Sequence, residues 1–155
     1  MSRIISDTRE KKNQHVLNYF DQHCVEYVIQ KLDYGDYQDE EQTGICIDRK
    51  QNIAELAKNC TADHERFRRE LERAQKANTT LVVLVEQNRY KDRDKWIHVE
   101  SIEDLMLWES PHTTIRGEKV YRVLRSWMAK YPLRVEFCDK RSTGRRIYEI
   151  IYEGK

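Results

Sequence analysis

Five consecutive residues, Leu81-Val82-Val83-Leu84-Val85, carry no polar side chain. Alternate residues of a strand face opposite sides of a sheet, so a run that is apolar at every position is a strand buried on both faces. It belongs at the centre of a sheet. The rest of the chain must supply the neighbouring strands and the helices that cover them.

The flanking patterns do so. Arg3-Ile4-Ile5-Ser6-Asp7 reads as a first strand, and Val16, Leu17, Phe20 and Cys24 recur at helical spacing from about Lys11. Residues 25–31 form a β-rich run leading into the turn Asp33-Tyr34-Gly35-Asp36. Residues 38–44 read as a hairpin-like connection to the strand Ile45-Cys46-Ile47, which ends in Asp48-Arg49-Lys50. Ile53, Leu56 and Ala57 mark a short helix, and a second covers about residues 63–76 with Phe67, Leu71 and Ala74 inside. Beyond the central strand, residues 88–95 read as a charged loop and Trp96-Ile97-His98-Val99 as a short edge strand. Ser101-Ile102-Glu103-Asp104 reads as a capping box opening a helix with Leu105 and Met106 inside. Val120, Val123, Leu124, Trp127, Met128 and Tyr131 form an amphipathic helix that Pro132 stops. A strand at Val135-Glu136-Phe137-Cys138 and a last helix carrying Ile147, Ile150 and Ile151 close the chain. The fold class is α/β. With no repeat, linker or low-complexity segment, residues 1–155 read as one domain, with a core of about 3–87 and a helix-rich part of about 96–155.

Charge narrows the function. The chain is 35% charged but nearly balanced, with 28 basic and 27 acidic residues and a formal net charge of +1, so it is no uniformly basic nucleic-acid binder. Contacts to phosphate must come from local patches. One candidate is the stripe Arg66, Arg69 and Arg73 at helical spacing; the plainer reading is a solvated face paired with Glu65, Glu70 and Glu72. Arg141, Arg145 and Arg146 form a second basic cluster, read as solvated surface. The apolar runs are all of strand length, and the start MSRIISDTREKK lacks a signal-peptide core, so the expectation is a protein with no membrane partner, cytoplasmic or nucleoid-associated. The four cysteines show no C-x-x-C pair, and Cys46 and Cys138 read as small buried hydrophobes.

The chemistry lies in the hairpin. Asp36 precedes Asp48 by twelve positions, which sets the two carboxylates on neighbouring strands joined by a short loop. Residues two apart on a strand share a face, so Asp48 and Lys50 project together while Arg49 points to the other side. Two carboxylates and a lysine at a strand end suit a hydrolase that cuts phosphodiesters with a hard divalent cation, its remaining coordination filled by water and phosphate oxygens. Lys50 would position the attacking water or stabilise the developing charge. Oxygen ligands suit Mg²⁺ and Mn²⁺ alike.

Three motifs occur in order: Asp7-Thr8-Arg9-Glu10 after the first strand, Gly35-Asp36-Tyr37, and Ile47-Asp48-Arg49-Lys50. Together they resemble the nuclease domain of the XPF family of structure-specific DNA endonucleases, which carries D-x-R-E, then G-D, then E-R-K-x-x-x-D. That family lies within the PD-(D/E)XK superfamily of metal-dependent nucleases, and the match covers about residues 3–75. The resemblance implies a restriction-endonuclease-like mixed sheet flanked by helices. It makes Asp36 and Asp48 metal ligands, Lys50 the catalytic lysine, Asp7 and Arg9 supporting residues with Glu10 beside them, and Arg49 a brace that does not touch the metal. Its substrate would be DNA, duplex or branched or flapped, and its partner a second copy or another nuclease subunit.

The departures from the family are specific. Asp48 stands where the family has glutamate, and the downstream aspartate falls on Ala54, with Glu55 one residue and about 100° of helix further on. No tandem helix-hairpin-helix or helicase pattern accompanies the motifs, so the chain resembles a compact stand-alone version of the kind found in bacteria and phages. The alternative in another class is a non-catalytic DNA-binding or scaffold subunit with a degenerate site. A third reading, a junction resolvase or an RNA-acting enzyme of the same superfamily, differs only in substrate.

Overall fold

The computed structural model describes residues 2–154; Met1 and Lys155, the ends of the span read as one domain, lie outside the described residues. In chain order the elements are β1 (Ile4–Ser6), α1 (Gln14–Gln22), β2 (Tyr27–Ile29), β3 (Tyr37–Asp39), β4 (Ile45–Lys50), α2 (Ile53–Asn59), α3 (His64–Lys76), β5 (Thr80–Val85), β6 (Arg89–Asp92), β7 (Lys95–His98), α4 (Gly117–Lys130), β8 (Leu133–Phe137) and α5 (Thr143–Tyr148). Short 3₁₀ turns cover Ile102–Leu105 and Lys140–Ser142, and a π-helical turn, Glu149–Glu153, follows α5.

Six strands form one mixed sheet in the order β2-β1-β3-β4-β5-β8. β3 runs antiparallel to both β1 and β4, whereas β1–β2, β4–β5 and β5–β8 are parallel pairs. The apolar run is a strand buried on both faces, as read, but it stands fifth of six in the sheet, one strand in from the edge, and the centre falls at β3 and β4. β5 lies between β4 and β8, with Leu81, Val83 and Val85 in one core and Val82 and Leu84 in the other. The first core is closed by α2, α3 and α4 through Leu56, Phe67, Leu71, Leu124 and Trp127. The second is closed by α1 and α5 through Val16, Phe20 and Ile147. The result is a three-layer α/β/α arrangement.

Several expectations shift. Residues 38–44 are not all connection, because Tyr37–Asp39 is a buried strand bonded on both sides. The β-rich run 25–31 pairs only over Tyr27–Ile29, at the sheet edge. Cys24 leaves the helix: it is exposed, with φ of 57°, just past α1. The charged loop and the edge strand are the two halves of a hairpin, β6–β7, forming a sheet of their own. The capping box is present, with Asp104 accepting from the Ser101 amide at 3.2 Å, but it opens only the turn Ile102–Leu105. Met106 falls past that turn and is 44% exposed instead of inside. No described helix is long and apolar enough to cross a membrane.

Candidate active site

The β3–β4 hairpin brings Asp36 to Asp48. Tyr37 pairs with Ile47, the Asp36 amide donates to the Ile47 carbonyl at 2.7 Å, and the Arg49 amide donates to Asp36 Oδ2 at 2.8 Å. Asp36 is thereby bound along β4 beside Asp48. Asp48 is buried, and its Oδ1 meets Lys50 Nζ at 3.2 Å. Both side chains lie on the Cys46 side of β4, the side covered by α2 and α3, and Lys50 Nζ stands 5.8 Å from the Phe67 ring centre. The Gly-Asp motif has a steric cause. Gly35 has φ of +70°, and a Cβ there would lie 2.3 Å from Cys46 Sγ and 3.2 Å from the Ile47 carbonyl oxygen.

A third carboxylate completes this face. Glu70 on α3 accepts the Gly35 amide at 2.8 Å. Burial and then the Asp48 carboxylate push its pKa up to about 7. Burial, followed by Asp48 and Glu10, pushes Asp36 well above the ordinary carboxylate range. Burial works against the Lys50 ammonium, but Asp48, Asp36 and Glu70 outweigh it and hold its pKa above the usual value. Asp48 Oδ2 is buried and has no hydrogen-bond partner. Crowded carboxylates with an orphaned oxygen are short of positive charge, and a hard divalent cation fits that deficit. Among the described residues no three His, Cys, Asp or Glu side chains form a ready metal-binding group. Asp36 and Asp48 are the two carboxylates that this face of β4 offers to such a cation.

The Asp7-Thr8-Arg9-Glu10 segment straps the turn before Asp36. Asp7 Oδ1 accepts the Leu32 amide at 2.8 Å, and its Oδ2 accepts Arg9 Nε at 2.8 Å and the Arg9 amide at 3.1 Å. Burial opposes ionisation of Asp7, but these bonds outweigh it and hold its pKa below the ordinary value. The Asp7 amide donates to the Asp36 carbonyl at 2.8 Å, and Arg9 Nη2 to the Leu32 carbonyl at 2.9 Å. With both oxygens so engaged, Asp7 holds the site's backbone.

Arg49 points to the opposite side of β4, as its strand position requires. Its guanidinium donates to Glu86 at 2.5 Å, to Glu10 at 2.7 Å and to the Lys11 carbonyl at 2.6 Å. Glu86 also accepts from the Thr143 hydroxyl at 2.6 Å and meets His15 Nε2. This buried network joins β4, β5, α5 and the segment after β1 directly behind the carboxylates.

The remaining candidates lie elsewhere. Ala54 packs against the first core, and Glu55, third residue of α2, donates its amide to the Asn52 cap at 2.8 Å. The carboxylate that faces Asp48 is Glu70. Arg66, Arg69 and Arg73 are exposed on α3, Arg66 pairing with Asp63 at 3.2 Å, while Glu65 and Glu72 pair with Arg68. Arg73 lies close enough to favour ionisation of Glu70. Arg141, Arg145 and Arg146 each pair with a neighbouring acid. Sequence patterns alone do not single out Glu70, Glu86, His15 or Thr143 as site residues. The signals were an acid three residues after Phe67, on the edge of the α3 seam, and an acid directly after the β5 run, one residue past the Val85 that pairs with Lys50.

A mixed sheet with two acids and a lysine at the end of a central strand is the restriction-endonuclease-like α/β arrangement. The chain belongs to the ERCC4 domain family, that of the XPF nuclease domain, whose model matches residues 6–149. Among solved structures it is similar to XPF from Aeropyrum pernix, with 18% identity and a TM-score of 0.69 over 98% of this chain and 64% of that one. It is also similar to XPF from Aeropyrum pernix in complex with DNA, with 17% identity and a TM-score of 0.67 over 99% and 65%. The chain thus spans somewhat less than two thirds of those proteins. Compared by sequence, no curated protein matches it.

Proposed function

We propose that the chain is a DNA endonuclease that hydrolyses phosphodiester bonds with a divalent cation, Mg²⁺ or Mn²⁺, held by Asp36 and Asp48. The observation that carries this reading is the orphaned Asp48 oxygen beside Asp36 and Lys50, in a chain of the ERCC4 domain family. When bound, the cation supplies Lewis-acid charge and an acidified water. Lys50, whose neighbouring carboxylates favour the ammonium form, stabilises negative charge on the phosphorane and, already carrying its proton, does not serve as the base. Asp7 and Arg9 fix the turn that presents Asp36, and Arg49 anchors β4 from behind. Glu70 holds Gly35 and adds negative charge facing Asp48.

Branched or flapped DNA is the proposed substrate class, read through duplex shape and phosphate contacts. The test is cleavage of labelled duplex, flap, fork and four-way-junction DNA with Mg²⁺ or with EDTA, beside Asp48→Asn. Metal-dependent cutting that the variant loses supports the enzyme; cutting retained by Asp48→Asn removes this site. Binding of branched DNA with no cutting would instead support the scaffold subunit.

A further inference from the structure

The β6–β7 hairpin takes no part in the site above, and one of its faces is unlike the rest of the molecule. Lys91 lies opposite Trp96 and Arg89 opposite His98, so these four side chains share a face, while Tyr90 and Ile97 share the other. The second face is anchored. Tyr90 is buried and donates its hydroxyl to the Asp104 carbonyl at 2.7 Å, and Ile97 packs on the first core. The first face is open to solvent. Trp96 is 55% exposed, whereas Trp108 and Trp127 are each 4% exposed. The Arg89 guanidinium lies 4.4 Å from the Trp96 ring centre and Lys91 Nζ 5.2 Å from it.

We propose that this face docks unpaired bases of the DNA on which the enzyme acts, a base stacking on the Trp96 indole while Arg89 and Lys91 take the adjoining phosphates. The inference rests on the DNA-nuclease reading for its ligand. Chemistry favours that occupant, because an exposed aromatic ring flanked by cations offers a base a π-face and its backbone a counter-charge. Paired bases are already stacked inside a duplex, so only unpaired ones can reach the ring. Charge agrees. Asp92 lies on the opposite face in register with Lys95, Glu100 answers His98 at 3.5 Å, and Asp139, the acid within electrostatic reach of Arg89, is engaged by Arg141 at 3.1 Å, so Arg89 and Lys91 are the cations beside the indole. Position agrees as well. The Glu86 amide donates to the Lys50 carbonyl at 2.8 Å, and Gln87 accepts the Ile53 amide at 2.8 Å and donates to the Arg89 carbonyl at 2.9 Å. The hairpin is therefore rooted beside the end of β4 that carries Lys50, and a strand leaving the cutting site as a single strand would find a stacking platform beside it.

Trp96 is the exposed tryptophan of the three, and the quenching that disappears in Trp96→Ala reports contact at this face apart from the emission of the buried Trp108 and Trp127. The experiment titrates the full chain in EDTA, where cleavage plays no part, with a single strand, a fork bearing one unpaired arm, and a blunt duplex of the same sequence. Expected are quenching by the first two, roughly tenfold or greater loss of their affinity in Trp96→Ala, retention of most of it in Trp96→Phe, and little change for blunt duplex. Absence of quenching, or wild-type binding of all three DNAs by Trp96→Ala, overturns the proposal. A cleavage assay in Mg²⁺ separates it from the nuclease reading. Quenching without cleavage of any DNA removes the nuclease and leaves the docking face, whereas Asp48-dependent cleavage with no effect of Trp96→Ala removes the docking face alone.

Discussion

The backbone amide of Gly35 donates to the carboxylate of Glu70 at 2.8 Å, tying the turn that presents Asp36 to the middle of α3. One bond joins the Gly-Asp motif to an acid that no family motif names. It also fixes that acid facing Asp48 and Lys50, so α3 belongs to the site as well as to the core.

Glu70→Gln separates the two roles, because an amide oxygen still accepts from Gly35 while the charge is gone. Glu70's pKa is raised from 4.5 to about 7, so in metal-free protein the folded state holds this proton more tightly than the unfolded chain. Its contribution is most favourable below about pH 4.5 and declines as pH rises toward 7. Urea unfolding in EDTA should therefore show wild type losing stability relative to Glu70→Gln across that window, with a constant difference above it. Mg²⁺ should raise the Tm of wild type more than that of the variant, since a ligand stabilises by its affinity for the folded state. Equal pH slopes would return Glu70 to a purely structural bond.

Gly35→Ala should destabilise the protein and damage the site. A left-handed φ costs a non-glycine residue about 1–2 kcal/mol, and the added Cβ would meet Cys46 Sγ at 2.3 Å. Adding Cys46→Ala removes that sulfur but leaves the backbone strain. The double variant should thus recover part of the loss, and denaturant unfolding of the four-member cycle measures the coupling. Simple additivity would show that the clash with sulfur is not the cause.

Arg49→Met leaves Glu10 and Glu86 buried without their counter-charge, and the Arg49 and Glu86 side chains are only 2% and 1% exposed. Removing one partner of such a pair costs about 3–5 kcal/mol, which should appear as a lower urea midpoint with an unchanged m-value. Arg49→Lys should fall between, because one ammonium cannot donate along the guanidinium fork to both carboxylates.

Strand periodicity made much of this fold legible. The run 81–85 marked a strand buried on both faces, though one strand in from the sheet edge, and alternation along residues 46–50 separated Asp48 and Lys50 from Arg49 without any knowledge of their partners. Local patterns failed where tertiary partners decide. Tyr37–Asp39 looks like turn and linker because its Gln and Asp side chains are polar, yet it is buried between β1 and β4. Glu70 looked like a salt-bridge partner of the α3 arginines because helical spacing gives neighbours on one helix, and only the turn at Gly35 shows where that carboxylate points. The β6–β7 hairpin was hidden by its charges, since its short buried face holds little more than Tyr90 and Ile97.

The arginine stripe of α3 has a geometry that makes its test decisive. Arg66 sits near the first turn of the helix and pairs with Asp63, Arg69 and Arg73 are exposed, and the charge of Arg73 favours ionisation of Glu70. If the stripe does track phosphates, replacing all three with alanine should weaken every DNA alike and flatten the salt dependence. The slope of log K against log salt should fall by about 0.9 for every phosphate that is no longer neutralised. Binding is measured by anisotropy in EDTA across a salt series, so that cleavage does not enter. A smaller loss for Arg66→Ala alone is expected, because Asp63 already engages that guanidinium. An unchanged slope in the triple variant would make these arginines an ordinary solvated face and leave phosphate contacts to the end of β4 around Lys50.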